Sequence, residues 1–191
     1  MVGNTPNYTK FDVLRCFLEI DVNISRASLA KKLSLGEGTL RTILNILKKK
    51  GILDSDRQGH HLSPEGIKLK NTISSLVRIK KAESKTLYPQ YKKVALLIKN
   101  AGEISVGYEL RDIAVRNGAV GAMLILYKNG LVLPQFTKFE LDEFKKLYDY
   151  ENGDLLVVTF AESYKEATNA ALAVATAVSK KLEKLLNYMA T

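Results

Sequence analysis

Residues 25–51, SRASLAKKLSLGEGTLRTILNILKKKG, contain two apolar periodicities separated by a short break, and that break decides the fold. Ala27, Leu29, Ala30 and Leu33 recur on one face of a short helix that Ser25 can cap, with Lys31 and Lys32 turned outward. Ser34, Leu35 and Gly36 interrupt the pattern. From Glu37 to Lys50 a second stripe, Leu40, Ile43, Leu44 and Leu47, returns at spacings of three and four, and Gly51 stands where a helix C-cap belongs. Two helices joined by so short a turn form a helix-turn-helix.

The flanking residues extend this motif. Upstream, Phe11, Val13, Leu14, Phe17, Leu18 and Ile20 give an amphipathic helix over Lys10 to Ile20. Downstream, Ile52 to Ser55 and His61 to Ser63 read as two short strands around a turn at Asp56 to His60. Three helices and a hairpin make residues 1–63 a winged helix-turn-helix domain. Ser63 then caps a helix with Pro64 at its first position and Glu65 in its first turn. It is expected to run to about Lys81, making 64–83 a linker helix. Its stripe of Ile67, Ile73, Leu76 and Val77 offers a face for a second copy of the chain, which predicts a homodimer.

Residues 84–191 change character. Strand-like runs at Lys93 to Ile98, Ala119 to Tyr127 and Leu155 to Phe160 alternate with helical patterns at Val106 to Arg116, Lys138 to Tyr148 and Tyr164 to Tyr188. Lys128, Asn129 and Gly130 form a hairpin turn that pairs Ala119–Tyr127 with Leu131–Leu133. The fold class is therefore α+β: a winged helix-turn-helix, a linker helix, and a C-terminal α+β domain whose small mixed or antiparallel sheet is packed by helices.

Charge separates the halves as clearly as pattern does. The net charge of +9 lies almost wholly in residues 1–82, which hold 15 basic and 7 acidic side chains, an excess of 8. Such an excess attracts a polyanion. Opposite its apolar stripe, the third helix presents Gly38, Arg41, Thr42, Asn45 and Lys49, with no acid among them. Arg41 and Asn45 can make bidentate hydrogen bonds to purine edges, Thr42 offers a hydroxyl and a methyl, and Gly38 lets the backbone approach closely. The helix N-terminus through Thr39, with Arg26, Lys31 and Lys48, suits phosphates. Arg57, Gln58 and His60 of the hairpin would act as a wing. The expected partner is double-stranded DNA.

At these residues a family resemblance appears. Ser34-Leu35-Gly36-Glu37-Gly38-Thr39-Leu40-Arg41, followed by Leu47-Lys48-Lys49-Lys50-Gly51-Ile52-Leu53, resembles winged-helix transcription regulators, including the DNA-binding domain of the bacterial repressor of central glycolytic genes. The stretch from Glu109 to Ala122, ELRDIAVRNGAVGA, is similar to the second domain of archaeal winged-helix proteins, a domain of unassigned function. The resemblance implies a regulator architecture and an archaeal source, and carries no activity for the second half.

In that half Arg111, Asp112 and Arg116 crowd one polar helix face, and a guanidinium pair there would bind a small anionic effector. An Asp112–Arg116 ion pair on an exposed helix is the plainer alternative. Gly118 and Gly121 flank the start of a strand, where missing side chains admit a ligand; Gly118 serves equally well as a helix C-cap. Catalysis has little to rest on. There is no phosphate-cradling glycine loop, no nucleophile motif and no histidine beyond residue 61, and Glu109, Asp154 and Glu162 read as solvated surface. No enzyme activity and no cofactor are expected. His60 and His61 point to opposite faces of a strand, and Cys16 sits alone in an apolar pattern, so no metal site is expected. A protein-interaction scaffold, or an enzyme that regulates its own gene, remain alternatives to the regulator. The polar N-terminus lacks a secretory signal, and the apolar run Ala170 to Val178 is too short for a membrane span, which predicts a cytoplasmic protein without a membrane partner.

Overall fold

The computed structural model describes residues 7–84, 87–102, 108–134 and 141–190. The chain divides into two compact units, residues 1–73 with 184–191, and residues 74–183. The fold is α+β.

In the first unit, α1 (Lys10–Leu18) starts on a reciprocal cap: the Thr9 hydroxyl accepts from the Asp12 amide, and Asp12 accepts from the Thr9 amide at 2.9 Å. Its buried Arg15 pairs with Asp12 at 2.9 Å and donates to the Leu33 carbonyl at 3.0 Å, fixing α1 to the end of α2 (Arg26–Leu33). That end is set by Ser34, which adopts the left-handed conformation at φ 55°. Leu35 turns inward and α3 (Glu37–Lys49) follows, with Leu40, Ile43, Leu44 and Leu47 buried. Cys16, on α1, is fully buried, and burial pushes its thiol up to about 12.

β1 (Leu53–Asp56) and β2 (Gly59–Leu62) pair antiparallel, with Leu53 opposite Leu62. Ile24 and His60 exchange both backbone hydrogen bonds, at 3.0 and 2.9 Å, so the segment before α2 lies along β2 as a third strand one residue long. One residue between two helices carries no period, so no strand signal marks it in the sequence. α4 (Pro64–Leu76) begins against this hairpin: a Cβ on Gly66 would fall 2.1 Å from the Ile52 carbonyl oxygen. Lys70, on α4, donates to the carbonyls of Leu18 and Ile20 at 2.7 and 3.0 Å and bonds to Asp21, satisfying the orphan carbonyls at the end of α1.

The second unit is an antiparallel sheet of order β3-β4-β7-β5-β6. Its strands are β3 (Val77–Ala82), β4 (Lys92–Ile98), β5 (Gly121–Tyr127), β6 (Leu131–Val132) and β7 (Leu155–Ala161). One face, with Val94, Leu96, Leu124, Val157 and Thr159, lies under α7 (Tyr164–Val178), against which α5 (Tyr108–Arg116) packs. The other, with Ala95, Leu97, Ile125, Leu156, Val158 and Phe160, is covered by Leu141, Phe144 and Tyr148 around the short α6 (Asp142–Lys145). The β5–β6 turn falls at Lys128 to Gly130 as expected, with Asn129 at φ 53°. The first residues expected in the Val106 and Lys138 helices lie outside the described residues.

Three expectations are corrected. The linker helix expected over 64–83 ends at Leu76, and Val77–Ala82 is the edge strand β3. Val77 and Ile79 alternate with Arg78 and Lys80, a period of two with lysines on the open edge, and this overrides the helical period that precedes it. The expected dimer stripe is consequently not a free face, since Ile73 and Val77 are buried by the chain itself and Ile67 alone is exposed. The last helix, expected unbroken from Tyr164 to Tyr188, is broken at Ser179. There the backbone is extended, and the hydroxyl accepts from Leu182 to cap α8 (Lys180–Ala190). The end of α8 belongs to the first unit, where Lys50 lies over the Tyr188 ring at 5.1 Å. Among the described residues no helix is long and apolar enough to cross a membrane.

Candidate nucleic-acid interface

The apolar stripe of α3 is turned into the core, and helical geometry therefore fixes what faces out. Gly38, Arg41, Thr42, Asn45, Lys48 and Lys49 are exposed, and Thr39 is half-buried. Thr42 bonds the Gly38 carbonyl at 3.3 Å, one turn back on its own helix. Gly36 caps α3 without a side chain, so its first amides have no side-chain partner from the cap residue. A Cβ added to Gly36 or Gly38 would meet nothing within 4 Å, so internal packing does not require glycine at either position.

The flanking cations divide. Lys31 and Lys48 are exposed, as a phosphate contact requires. Arg26 is instead committed within the chain: its Nη2 lies 3.3 Å from Glu37 Oε2 and its Nε is buried without a hydrogen bond. Glu37 is favoured in the first turn of α3 by the helix dipole, and Arg26, across the turn, offsets its charge.

The wing is also narrower than expected. Its tip is Asp56 to Gly59, where Asp56 Oδ1 accepts from the Gln58 and Gly59 amides at 2.7 and 3.1 Å. Arg57 is exposed at the tip. Gln58 is held back by Asn23, whose amide donates to Gln58 Oε1 at 2.8 Å. His60 is not at the tip: it sits half-buried in β2, with Nδ1 2.5 Å from Ser55 Oγ and its backbone joined to Ile24. Burial, followed by the charges of Lys48, Arg26 and His61, holds its imidazole below the usual histidine range.

In the second unit the expected cluster separates. Arg111 lines a cleft and has its Nε buried without a hydrogen bond. Asp112 and Arg116 are exposed and do not line the cleft, and among the described residues no ion pair joins them. Gly118 ends α5 in the left-handed region at φ 98°, with its amide and that of Ala119 bonded to the carbonyls of Val115 and Ala114. A helix C-cap is the role it fills. Asp154, expected as solvated surface, is buried and accepts from Lys99 Nζ and the amides of Asn100 and Glu151 at 2.9–3.0 Å. It braces the ends of the central strands.

Each of the two units is similar to a known domain family. Residues 11–68 match a family model described as PH0730-like, N-terminal domain, and residues 90–178 match one described as domain of unknown function (DUF4443). A solved structure, hypothetical protein PH0730 from Pyrococcus horikoshii OT3, is 29% identical, with a TM-score of 0.81 over 96% of this chain and 100% of that one. The chain resembles an archaeal family of unassigned function. No curated protein matches it. The boundaries of the two matched domains fall inside the two compact units, 1–73 and 74–183, so the similarity follows the architecture.

Proposed function

We propose that this chain is a winged-helix transcription regulator that binds double-stranded DNA through the outward face of α3. The observation that carries the reading is that Arg41, Thr42, Asn45, Lys48 and Lys49 are all exposed on one helix whose other face is sealed in the core, with no carboxylate among them. A face of cations and amide donors in the second helix of a helix-turn-helix fits the major groove, where such groups read purine edges. Lys31, Lys48 and the bare amides at Gly36 and Gly38 supply phosphate contacts, and Arg57 reaches outward from the wing. Arg26 acts indirectly, by neutralising Glu37 at the edge of the face.

The test is a fluorescence-anisotropy selection of duplex DNA by the full chain, followed by titration of the selected site against scrambled duplex. Arg41→Ala and Asn45→Ala are each expected to cost about 1–3 kcal/mol on the selected site and to narrow its margin over scrambled DNA. Lys48→Ala is expected to weaken both duplexes alike and to reduce the salt slope by about one. Selection that yields no preferred site, or a preference untouched by both base-reading substitutions, refutes the proposal.

A further inference from the structure

The described lining of the cleft to which Arg111 belongs lies wholly within the second unit, and a strand register places one of its walls. Lys93, Phe160 and Gly121 stand side by side on β4, β7 and β5. The row ends in a residue without a side chain, and among the described residues a Cβ on Gly121 would meet Phe160 alone, at 3.9 Å. Beside this row opens a cleft of about 670 Å³, walled by Tyr88, Tyr91, Met123, Leu133 and Phe160, with Gly121 in its lining. It falls within the range of sites for small organic ligands, roughly 300–1,000 Å³.

Its rim is built rather than loose. Lys93, itself buried, donates from Nζ to the carbonyls of Tyr88 and Tyr91 at 2.9 and 3.1 Å, and the Ser84 hydroxyl accepts from the Leu87 amide at 2.8 Å. Tyr88 is held at φ 45°, a conformation a bulky residue seldom adopts, with its ring edge-on to Phe160 at 5.3 Å. Among the described residues lining the cleft, Arg111 is the one that carries charge. A guanidinium cannot shed its proton, and a buried donor without an acceptor is costly. Arg111 is half-buried with its Nε shut off from solvent, and the partner that best matches a charged donor so placed is an anion.

From these observations we infer that the cleft binds a small organic monocarboxylate with an apolar body. The carboxylate meets Arg111 and the hydrocarbon lies against the tyrosines, Met123 and Phe160. One guanidinium balances one negative charge, and its planar fork suits a carboxylate. A nucleotide or sugar phosphate would need further cations, and the described lining offers none besides Arg111. The site is independent of the DNA reading, because its test contains no DNA.

Titration calorimetry of the full chain with phenylpropanoate, isocaproate and octanoate measures it, with phenylpropanamide as the uncharged counterpart and inorganic phosphate as the bare anion. At least one acid is expected to bind at one site per chain. The amide and phosphate should bind at least about tenfold more weakly than that acid. Arg111→Gln should erase the preference for acid over amide, and Gly121→Leu, which puts a branched side chain into the cleft beside Phe160, should weaken binding of both by at least about tenfold. Arg116→Gln should change nothing. Thermal melts of each variant accompany the titrations, and Arg111→Gln alone decides the matter should Gly121→Leu fail to fold. Equal binding of acid and amide, phosphate binding as tight as the acids, undiminished preference in Arg111→Gln, or no heat from any acid up to about 10 mM each overturns the inference.

Discussion

Gly38→Ala separates what α3 needs for folding from what its outer face does. Gly38 lies in the first turn of α3, and a Cβ built on it has nothing within 4 Å, so alanine adds no clash. Alanine is favoured over glycine in a helix by about 0.5–1 kcal/mol, the lower figure applying near an end. The variant should thus be more stable by about 0.5 kcal/mol, raising the melting temperature by about 1–2 °C for a chain of this length. If DNA approaches the bare backbone there, the added methyl occupies the contact layer between helix and duplex. Loss of one close contact and its hydrogen bond is worth about 1–1.5 kcal/mol, close to a tenfold weakening of binding. Calorimetric melting and anisotropy titration on the same preparation measure both. A variant that is stabilised and binds DNA as tightly as the parent refutes the reasoning, because the glycine would then mark no contact.

Gly66→Ala should act in the opposite sense on folding. Its Cβ would lie 2.1 Å from a backbone oxygen of Ile52, so the first unit must shift or lose stability, by about 3 kcal/mol, and chemical denaturation with circular dichroism reports the loss. His60 gives a pH dependence whose sign follows from its lowered folded pKa. Above about pH 6.5 neither state of the protein protonates it. As pH falls below that value the unfolded chain takes up a proton first, so stability drops until the folded pKa is reached, then levels. Lys48→Met removes one of the charges responsible, and should move the His60 NMR titration upward and shrink the drop. Cys16, with its thiol raised by burial to about 12, should resist aromatic disulfide reagents at pH 8 until the chain is unfolded.

Elements with strong period and punctuation were legible from the sequence, and those fixed by tertiary partners were not. Leu40 to Leu47 bury as their spacing requires, because a helix with one apolar stripe has one way to satisfy it. Residues 77–82 carried a readable alternation, yet they follow a helix started by Pro64, and Ile73, Leu76 and Val77 continue its period across the boundary. What decides against the helix is β4, whose open edge takes Val77–Ala82 in register. Ser179 similarly stands inside an unbroken apolar period. A serine there is a weak stop on its own, and becomes one where its hydroxyl can cap the next helix.

The same distinction governs the two candidate sites. The outer face of α3 follows from helix geometry alone, so its exposed residues could be named without a structure. Arg26 could not be placed, because its pairing with Glu37 depends on how tightly α2 and α3 turn around Ser34. In the second unit Arg111 and Arg116 are equivalent by composition. Gly121 joins the cleft because it falls opposite Phe160, and register across two strands is invisible to a single-helix pattern. Shifting β5 by one residue would place Ala122 in that position and turn Gly121 to the α7 face, putting a methyl where the cavity now opens. Arg111 comes from α5 and Gly121 from β5, so a substitution that moves the register should narrow the cleft while leaving the Arg111 donor on its helix.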